Sequence, residues 1–244
     1  MIKILVTGIS GRMGQTVKQA VELNDGTELA STHDVGQDIA AAMSAADCAI
    51  DFSFHGFTPE LLATAVAQGK PLVIGTTGHT DEERAAIAEA AKQIPIVFAS
   101  NYSVGVNTLF WLTRKATQIL KDYDIEIIEM HHHHKLDAPS GTARTLAEVV
   151  CEETGMDYNK DVMHGREGLV GARPQRQIGM HSMRGGDVVG DHTVMYATDG
   201  ERVELTHKAS SRMTFAGGAV RAALWLADKP AGLYNMQDVL GFNA

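Results

Sequence analysis

Short apolar runs alternate with helical periodicities through the N-terminal part of the chain. Ile2 to Val6 reads as a central parallel strand, covered on both faces. A helical pattern through Val17, Ala20, Val21 and Leu23 follows it. Thr27 to His33, Cys48 to Phe52, Leu72 to Ile74 and Ile96 to Ala99 read as further strands. Thr58 to Gln68 and Asp81 to Lys92, the latter capped by Thr80 or Asp81, read as the helices between them. Strand–helix units with short connections predict a doubly wound, Rossmann-type parallel sheet.

The pattern changes after Tyr102. A helix is expected over Val106 to Leu120, with an apolar stripe through Leu109, Phe110, Thr113, Ala116 and Leu120. Ile125 and Ile127 alternate with Glu126 as in a strand, and Ala143, Leu146, Ala147 and Val150 mark one face of a helix beginning near Ser140 or Gly141. Arg176 to Met183, Thr193 to Thr198 and Arg202 to Lys208 read as extended, the last two joined by the hairpin signal Asp199-Gly200. The expectation is a second, mostly antiparallel α+β domain, with long surface loops at Met163 to Gly171 and Gly185-Gly186. A helix from Phe215 through Ala219, Ala222, Ala223 and Leu226 is too small and apolar to stand alone, so it should pack back on the first domain. The predicted division is 1–102 with 214–244 for dinucleotide binding, and 103–213 for substrate binding and assembly.

Composition narrows the class. With 244 residues, 44% hydrophobic and 21% charged, the chain is an ordinary globular protein able to bury a real core. A formal charge of −9 argues against nucleic acid as main partner. Cys48 and Cys151 form no disulfide framework, and neither a membrane span nor a signal segment is evident, so a cytoplasmic protein is expected.

Candidate chemistry falls where the predicted strands end. Thr7-Gly8-Ile9-Ser10-Gly11-Arg12-Met13-Gly14 lies between a strand and a helix, the setting for a pyrophosphate on a helix N-terminus. Its Gly-x-x-Gly-x-x-Gly spacing departs from the usual fingerprint. Asp34 ends the second strand, where an acidic side chain holds a ribose diol, although it could instead cap the next turn. Phe52 to Gly56, Gly75 to Gly78 and Ser100 to Ser103 share one sheet edge and suit a nicotinamide site. The run Glu129-Met130-His131-His132-His133-His134-Lys135-Leu136-Asp137-Ala138-Pro139-Ser140-Gly141-Thr142-Ala143 brings imidazoles and an ammonium to a strand end just before a helix N-terminus. Such a terminus suits a carboxylate or phosphate. The alternatives are a polar loop with incidental histidines, or a metal site. Metal is not expected, because neighbours on a strand face opposite ways and no Cys-x-x-Cys or His-Glu-x-x-His accompanies them.

That run closely resembles the signature of the 4-hydroxy-tetrahydrodipicolinate reductase (dihydrodipicolinate reductase) family. Gly8 to Gly14, Gly75-Thr76-Thr77-Gly78, Ala99-Ser100-Asn101-Tyr102 and Met213-Thr214-Phe215-Ala216 look like its other motifs, so the resemblance spans essentially the whole chain. It implies NAD(P)H-dependent reduction of a cyclic imine dicarboxylate in lysine and diaminopimelate synthesis, by a cytoplasmic homotetramer. It also implies roles by position. His131 would donate a proton with Lys135 as its charged partner. His132 would contact substrate, and Ser140, Gly141 and Thr142 would take a substrate carboxylate. Gly8, Ile9, Ser10, Gly11, Arg12, Met13, Asp34, Gly75, Thr76, Thr77, Ala99, Ser100, Asn101 and Tyr102 would bind the nucleotide. Val35 and Gly36 follow Asp34 where relatives that favour a 2′-phosphate often place a cation, leaving Arg12 as the nearby one. NADH is therefore expected to serve at least as well as NADPH. Two other classes keep the same layout: an aspartate or sugar dehydrogenase, and a dinucleotide-sensing regulator without chemistry.

Overall fold

The computed structural model describes residues 1–242 in two compact units, 1–104 with 212–242, and 105–211.

The first unit is built on a six-stranded sheet. Its strands are β1 (Ile2–Thr7), β2 (Thr27–His33), β3 (Cys48–Asp51), β4 (Leu72–Ile74), β5 (Pro95–Phe98) and a late β11 (Gly232–Tyr234). All pair in parallel, in the order β11-β5-β4-β3-β1-β2. The strands read as apolar runs because alternate side chains serve two cores. Ile4, Val6, Ile50, Val73 and Val97 face α1 (Arg12–Glu22) and α8 (Met213–Leu226). Leu5, Ala49, Leu72, Ile74 and Ile96 face α2 (Ile39–Ser44), α3 (Thr58–Gln68) and α4 (Asp81–Ala90). Helix α8 lies hard against the end of β5. A Cβ on Gly218 would sit 1.8 Å from the Tyr102 carbonyl oxygen, so only glycine allows the approach. In this unit α2, β11 and α9 (Met236–Leu240) went unread in the sequence. Each is short, with α2 and α9 set by the side-chain caps Asp38 and Asn235.

The second unit holds α5 (Val104–Ile119, whose first residue falls in the first unit), β6 (Asp124–His131), α6 (Gly141–Thr154), α7 (Tyr158–Asp161), β7 (Val162–His164), β8 (Ile178–Arg184), β9 (Gly190–Thr198) and β10 (Glu201–Ala209). Its sheet runs β10-β9-β6-β8-β7 and is mixed, correcting the mostly antiparallel expectation. β9 pairs antiparallel with β6 and β10, but β6–β8 and β8–β7 are parallel. The cause is two returns of the chain: the helix α6 carries it back before β7, and the stretch 165–177 carries it back again before β8, so both strands run in the direction of β6. The supposed loop at Met163 also contains the end of β7. Ile125, Ile127, Ile178, Met180, Val194 and Tyr196 pack against α6 residues Ala143, Leu146, Ala147 and Val150. Among the described residues, no helix is long and apolar enough to cross a membrane.

Candidate functional site

In the first unit the sheet order turns at β1, with β2 on one side and β3 on the other, and ligands of doubly wound sheets bind beyond the strand ends at that point. The chain leaves β1 through Gly8 at φ +67, where an added Cβ would lie 2.5 Å from the Phe52 carbonyl oxygen. Gly14, in the first turn of α1, is equally constrained: its Cβ would stand 2.1 Å from the Gly8 carbonyl oxygen. The unusual glycine spacing thus still gives a tight turn and close helix–strand packing. Between these glycines Ser10, Gly11 and Arg12 are exposed, while Ile9 and Met13 are partly buried against the core. Asp34 accepts hydrogen bonds from the Ser10 N–H at 2.7 Å and the Val35 N–H at 2.9 Å. Those from Ser10 and Val35 hold its carboxyl below the usual carboxylate range. A cavity of about 500 Å³ opens beside it, lined by Gly8, His33, Asp34, Ser53, Phe54 and Phe57. A glycine turn that no side chain could occupy, ending beside this carboxylate, fits a dinucleotide.

One organiser of this edge went unread in the sequence. Asp51 ends β3 fully buried and accepts from Thr7 Oγ1 at 2.5 Å, Ser53 Oγ at 2.5 Å and Thr76 Oγ1 at 2.6 Å. Thr76 Oγ1 in turn accepts from the Ser53 N–H at 2.8 Å. Three strand ends are thereby locked to one carboxylate. The signal was an acidic residue closing the run Cys48-Ala49-Ile50. Side chains expected at the nucleotide divide accordingly. Thr76 is buried and committed to Asp51, and Gly75 is buried against the Phe52 ring, whereas Thr77 and Ser100 are exposed and Ala99 and Asn101 partly so. Tyr102 is 1% exposed, with its hydroxyl between the Ile74 and Val97 carbonyls at 2.9 Å each, so its ring is a core strut. An aromatic residue following a polar loop does not reveal from sequence which way it faces.

In the second unit β6 brings Ile125, Ile127, Glu129 and His131 to its inward face, so the period of two carries a carboxylate and an imidazole into an otherwise apolar layer. His131 Nδ1 lies 2.5 Å from Glu129 Oε2. Arg184 from β8 grips the same carboxylate at 2.9 and 2.8 Å, and the Ser140 N–H reaches it at 3.2 Å. Burial pushes the Glu129 carboxyl up, but bonds from His131, Arg184 and Ser182 outweigh it and bring it to about 2. Ser140 caps α6 through Oγ, which accepts from the Ala143 N–H at 3.2 Å. Ser140 Oγ also lies 3.0 Å from His192 Nε2, and the His192 ring meets His131 edge-on with centroids 5.2 Å apart. Burial, followed by the neighbouring His131, pushes His192 down to about 3, so it is uncharged. Beyond β6 the chain turns. Lys135 pairs with Asp137 at 2.8 Å, the His132 N–H bonds the Val188 carbonyl at 2.8 Å, and His133 Nδ1 the Gly186 carbonyl at 2.9 Å. Gly141 is exposed and Thr142 partly buried at the open end of α6. Of the expected substrate-side residues, the structure joins His131 and Ser140 through Glu129, and pairs Lys135 with Asp137. Glu129, Arg184 and His192 carried no role in the sequence reading. Only the alternation from Ile125 marked Glu129, and Arg184 and His192 sit on strands that it left without chemistry.

A dinucleotide-binding sheet in one unit and an imidazole beside a carboxylate in the other define the class, a nicotinamide-dependent oxidoreductase. Family models for dihydrodipicolinate reductase match both parts, the N-terminus over residues 2–102 and the C-terminus over 105–240. A 4-hydroxy-tetrahydrodipicolinate reductase of Akkermansia muciniphila is 67% identical over 244 residues, covering all of this chain and 99% of that protein. One of Magnetococcus marinus is 47% identical over 265 aligned positions, covering 99% of each. The fold is also that of a dihydrodipicolinate reductase from Paenisporosarcina sp. TG-14, solved with dipicolinate bound, at a TM-score of 0.78, 24% identity and 98% coverage of each chain. The chain belongs to the dihydrodipicolinate reductase family.

Proposed function

We propose that the chain reduces the ring of 4-hydroxy-tetrahydrodipicolinate to tetrahydrodipicolinate, in diaminopimelate and lysine synthesis in the cytoplasm. The observation that carries this is the His131–Glu129–Ser140 constellation, which sets a proton donor beside a helix N-terminus. Loss of the 4-hydroxyl as water leaves a conjugated cyclic imine, and its reduction takes a hydride at one ring carbon and a proton at its neighbour. The hydride comes from the reduced nicotinamide when it is bound. His131 supplies the proton from Nε2, since Nδ1 is committed to Glu129. Gly190 keeps that nitrogen reachable, because a Cβ there would sit 2.9 Å from it. The N–H groups of Gly141 and Thr142 at the start of α6 hold a ring carboxylate, and His132 contacts the substrate. The Lys135 ammonium offsets negative charge that develops before the proton arrives.

On the nucleotide side, Gly8 to Met13 cradle the pyrophosphate, Asp34 holds the ribose diol, and Gly75, Thr77 and Ala99 to Asn101 flank the nicotinamide. Asp34 repels a 2′-phosphate and Val35, which is 96% exposed, offers no charge to offset it. NADH should therefore serve at least as well as NADPH. The test is loss of nicotinamide absorbance on adding freshly generated substrate, with each nucleotide in turn. Turnover with NADH at a kcat/KM equal to or above that with NADPH is expected. Absence of turnover would refute the activity, and a large NADPH advantage would transfer the 2′-phosphate to Arg12.

The active form is proposed to be a homotetramer. The second sheet has α6 on one face, while its other face carries Ile128, Met130, Met163, Met183 and Met195. Met163 and Met183 are 44% and 47% exposed, a surface suited to another copy of the same sheet.

A further inference from the structure

Position 129 lies between Ile127 and His131 on the inward face of β6, where an apolar side chain would pack without penalty. A carboxylate with no exposure stands there instead, and burying a charge costs several kcal/mol unless its partners are well placed. Its partners come from three elements. His131 Nδ1 reaches it from its own strand at 2.5 Å, the Arg184 guanidinium from β8 at 2.8 and 2.9 Å, and the Ser140 N–H from the head of α6 at 3.2 Å. Arg184 Nη2 also donates to the Asp137 carbonyl at 2.7 Å, which pins the turn carrying Lys135.

We infer that Glu129, with Arg184 as its counter-ion, is a positioning residue for the proton transfer. It fixes the His131 ring with Nε2 as the free nitrogen and holds that nitrogen in register with the carboxylate cradle at Ser140. This rests on the reading of His131 as the proton donor. A carboxylate that accepts from Nδ1 fixes which ring nitrogen faces outward, and the guanidinium on the same carboxylate holds it in place. The remaining groups facing the ring are His192 from β9, which burial keeps uncharged, and the Ser140 hydroxyl. Lys135 and His207 act on His192 at longer range. Loss of either partner should therefore lower kcat of the folded enzyme with nucleotide KM nearly unchanged, which a purely structural ion pair would not do.

The experiment measures kcat, nucleotide KM, pH–rate profile and melting temperature for Glu129→Gln, Arg184→Gln and His131→Gln beside the native protein. Glu129→Gln should lose kcat by on the order of 10²-fold, as a misoriented acid–base group does, with nucleotide KM nearly unchanged. Arg184→Gln should also lose kcat with nucleotide KM nearly unchanged, and this arm stands even where Glu129→Gln fails to fold. A folded Glu129→Gln with native kcat overturns the inference, as does a folded Arg184→Gln with native kcat. Native kcat in His131→Gln would instead remove the donor assignment itself, which separates the two failures.

Discussion

Glu126 and Glu129 sit three residues apart on β6 and show how neighbours decide what a side chain is. They face opposite sides of the sheet, yet both are carboxylates that burial pushes up and that hydrogen bonds then bring down to about 2. Glu126 achieves this with Arg166 at 2.8 and 3.0 Å, His181 at 2.7 Å and Arg173 at 3.0 Å, and it occupies the space above Gly179, where a Cβ would lie 1.7 Å from its carboxyl oxygen. His192 is the opposite case, since burial drives it from 6.5 to about 3. The signs follow from linkage. A histidine lowered in the fold is protonated first in the unfolded chain, so its destabilising effect begins as pH falls below 6.5. The lowered carboxylates give their full stability above 4.5 and lose it as pH falls toward about 2. Calorimetry across pH should therefore show a melting temperature that declines gently below about 6.5 and steeply below about 4.5. His192→Gln should flatten the first part of the decline. A melting temperature independent of pH between 7 and 3 would contradict these assignments.

Elements were legible in the sequence to the extent that their signal was local. The strands β1, β3, β4 and β5 announce themselves because both faces are covered and most positions are apolar. Helix α6 does so because Ser140 caps it and Ala143, Leu146, Ala147 and Val150 repeat at helical spacing. The direction of β8 relative to β6 has no local signal. It follows from α6 before β7 and the stretch 165–177 before β8, each carrying the chain back, and an alternating strand reads the same in either direction. Short elements such as β11 and α2 exist because a sheet edge or a neighbouring helix accepts them, so their own residues say little. The site divides in the same way. The run from His131 to Thr142 is contiguous, and its type and spacing were enough to mark it. Glu129's partner Arg184 lies far along the chain and meets it only through strand pairing. The burial of the Tyr102 ring was not legible, because which side of a strand end an aromatic ring takes is decided by the space beneath α8, which no local pattern encodes.

The whole molecule adds two expectations. The methionine-bearing face of the second sheet, around Ile128, calls for burial against another copy, so light scattering at micromolar concentration should give four times the 26.2 kDa chain mass. A monomer mass would end the assembly proposal. The central claim, that the turn after β6 does chemistry, is tested most directly by Lys135→Met. The Lys135 side chain is 20% exposed and pairs with Asp137, itself 62% exposed, a surface ion pair of the kind that contributes under about 1 kcal/mol to stability. Stabilising charge in the transition state is worth far more, about 3 kcal/mol or roughly a hundredfold in rate. The decisive measurement is kcat of folded Lys135→Met together with its melting temperature and NADH affinity. The prediction is a loss of kcat of about a hundredfold or more with the other two nearly unchanged, whereas native kcat in the folded variant would contradict the catalytic assignment.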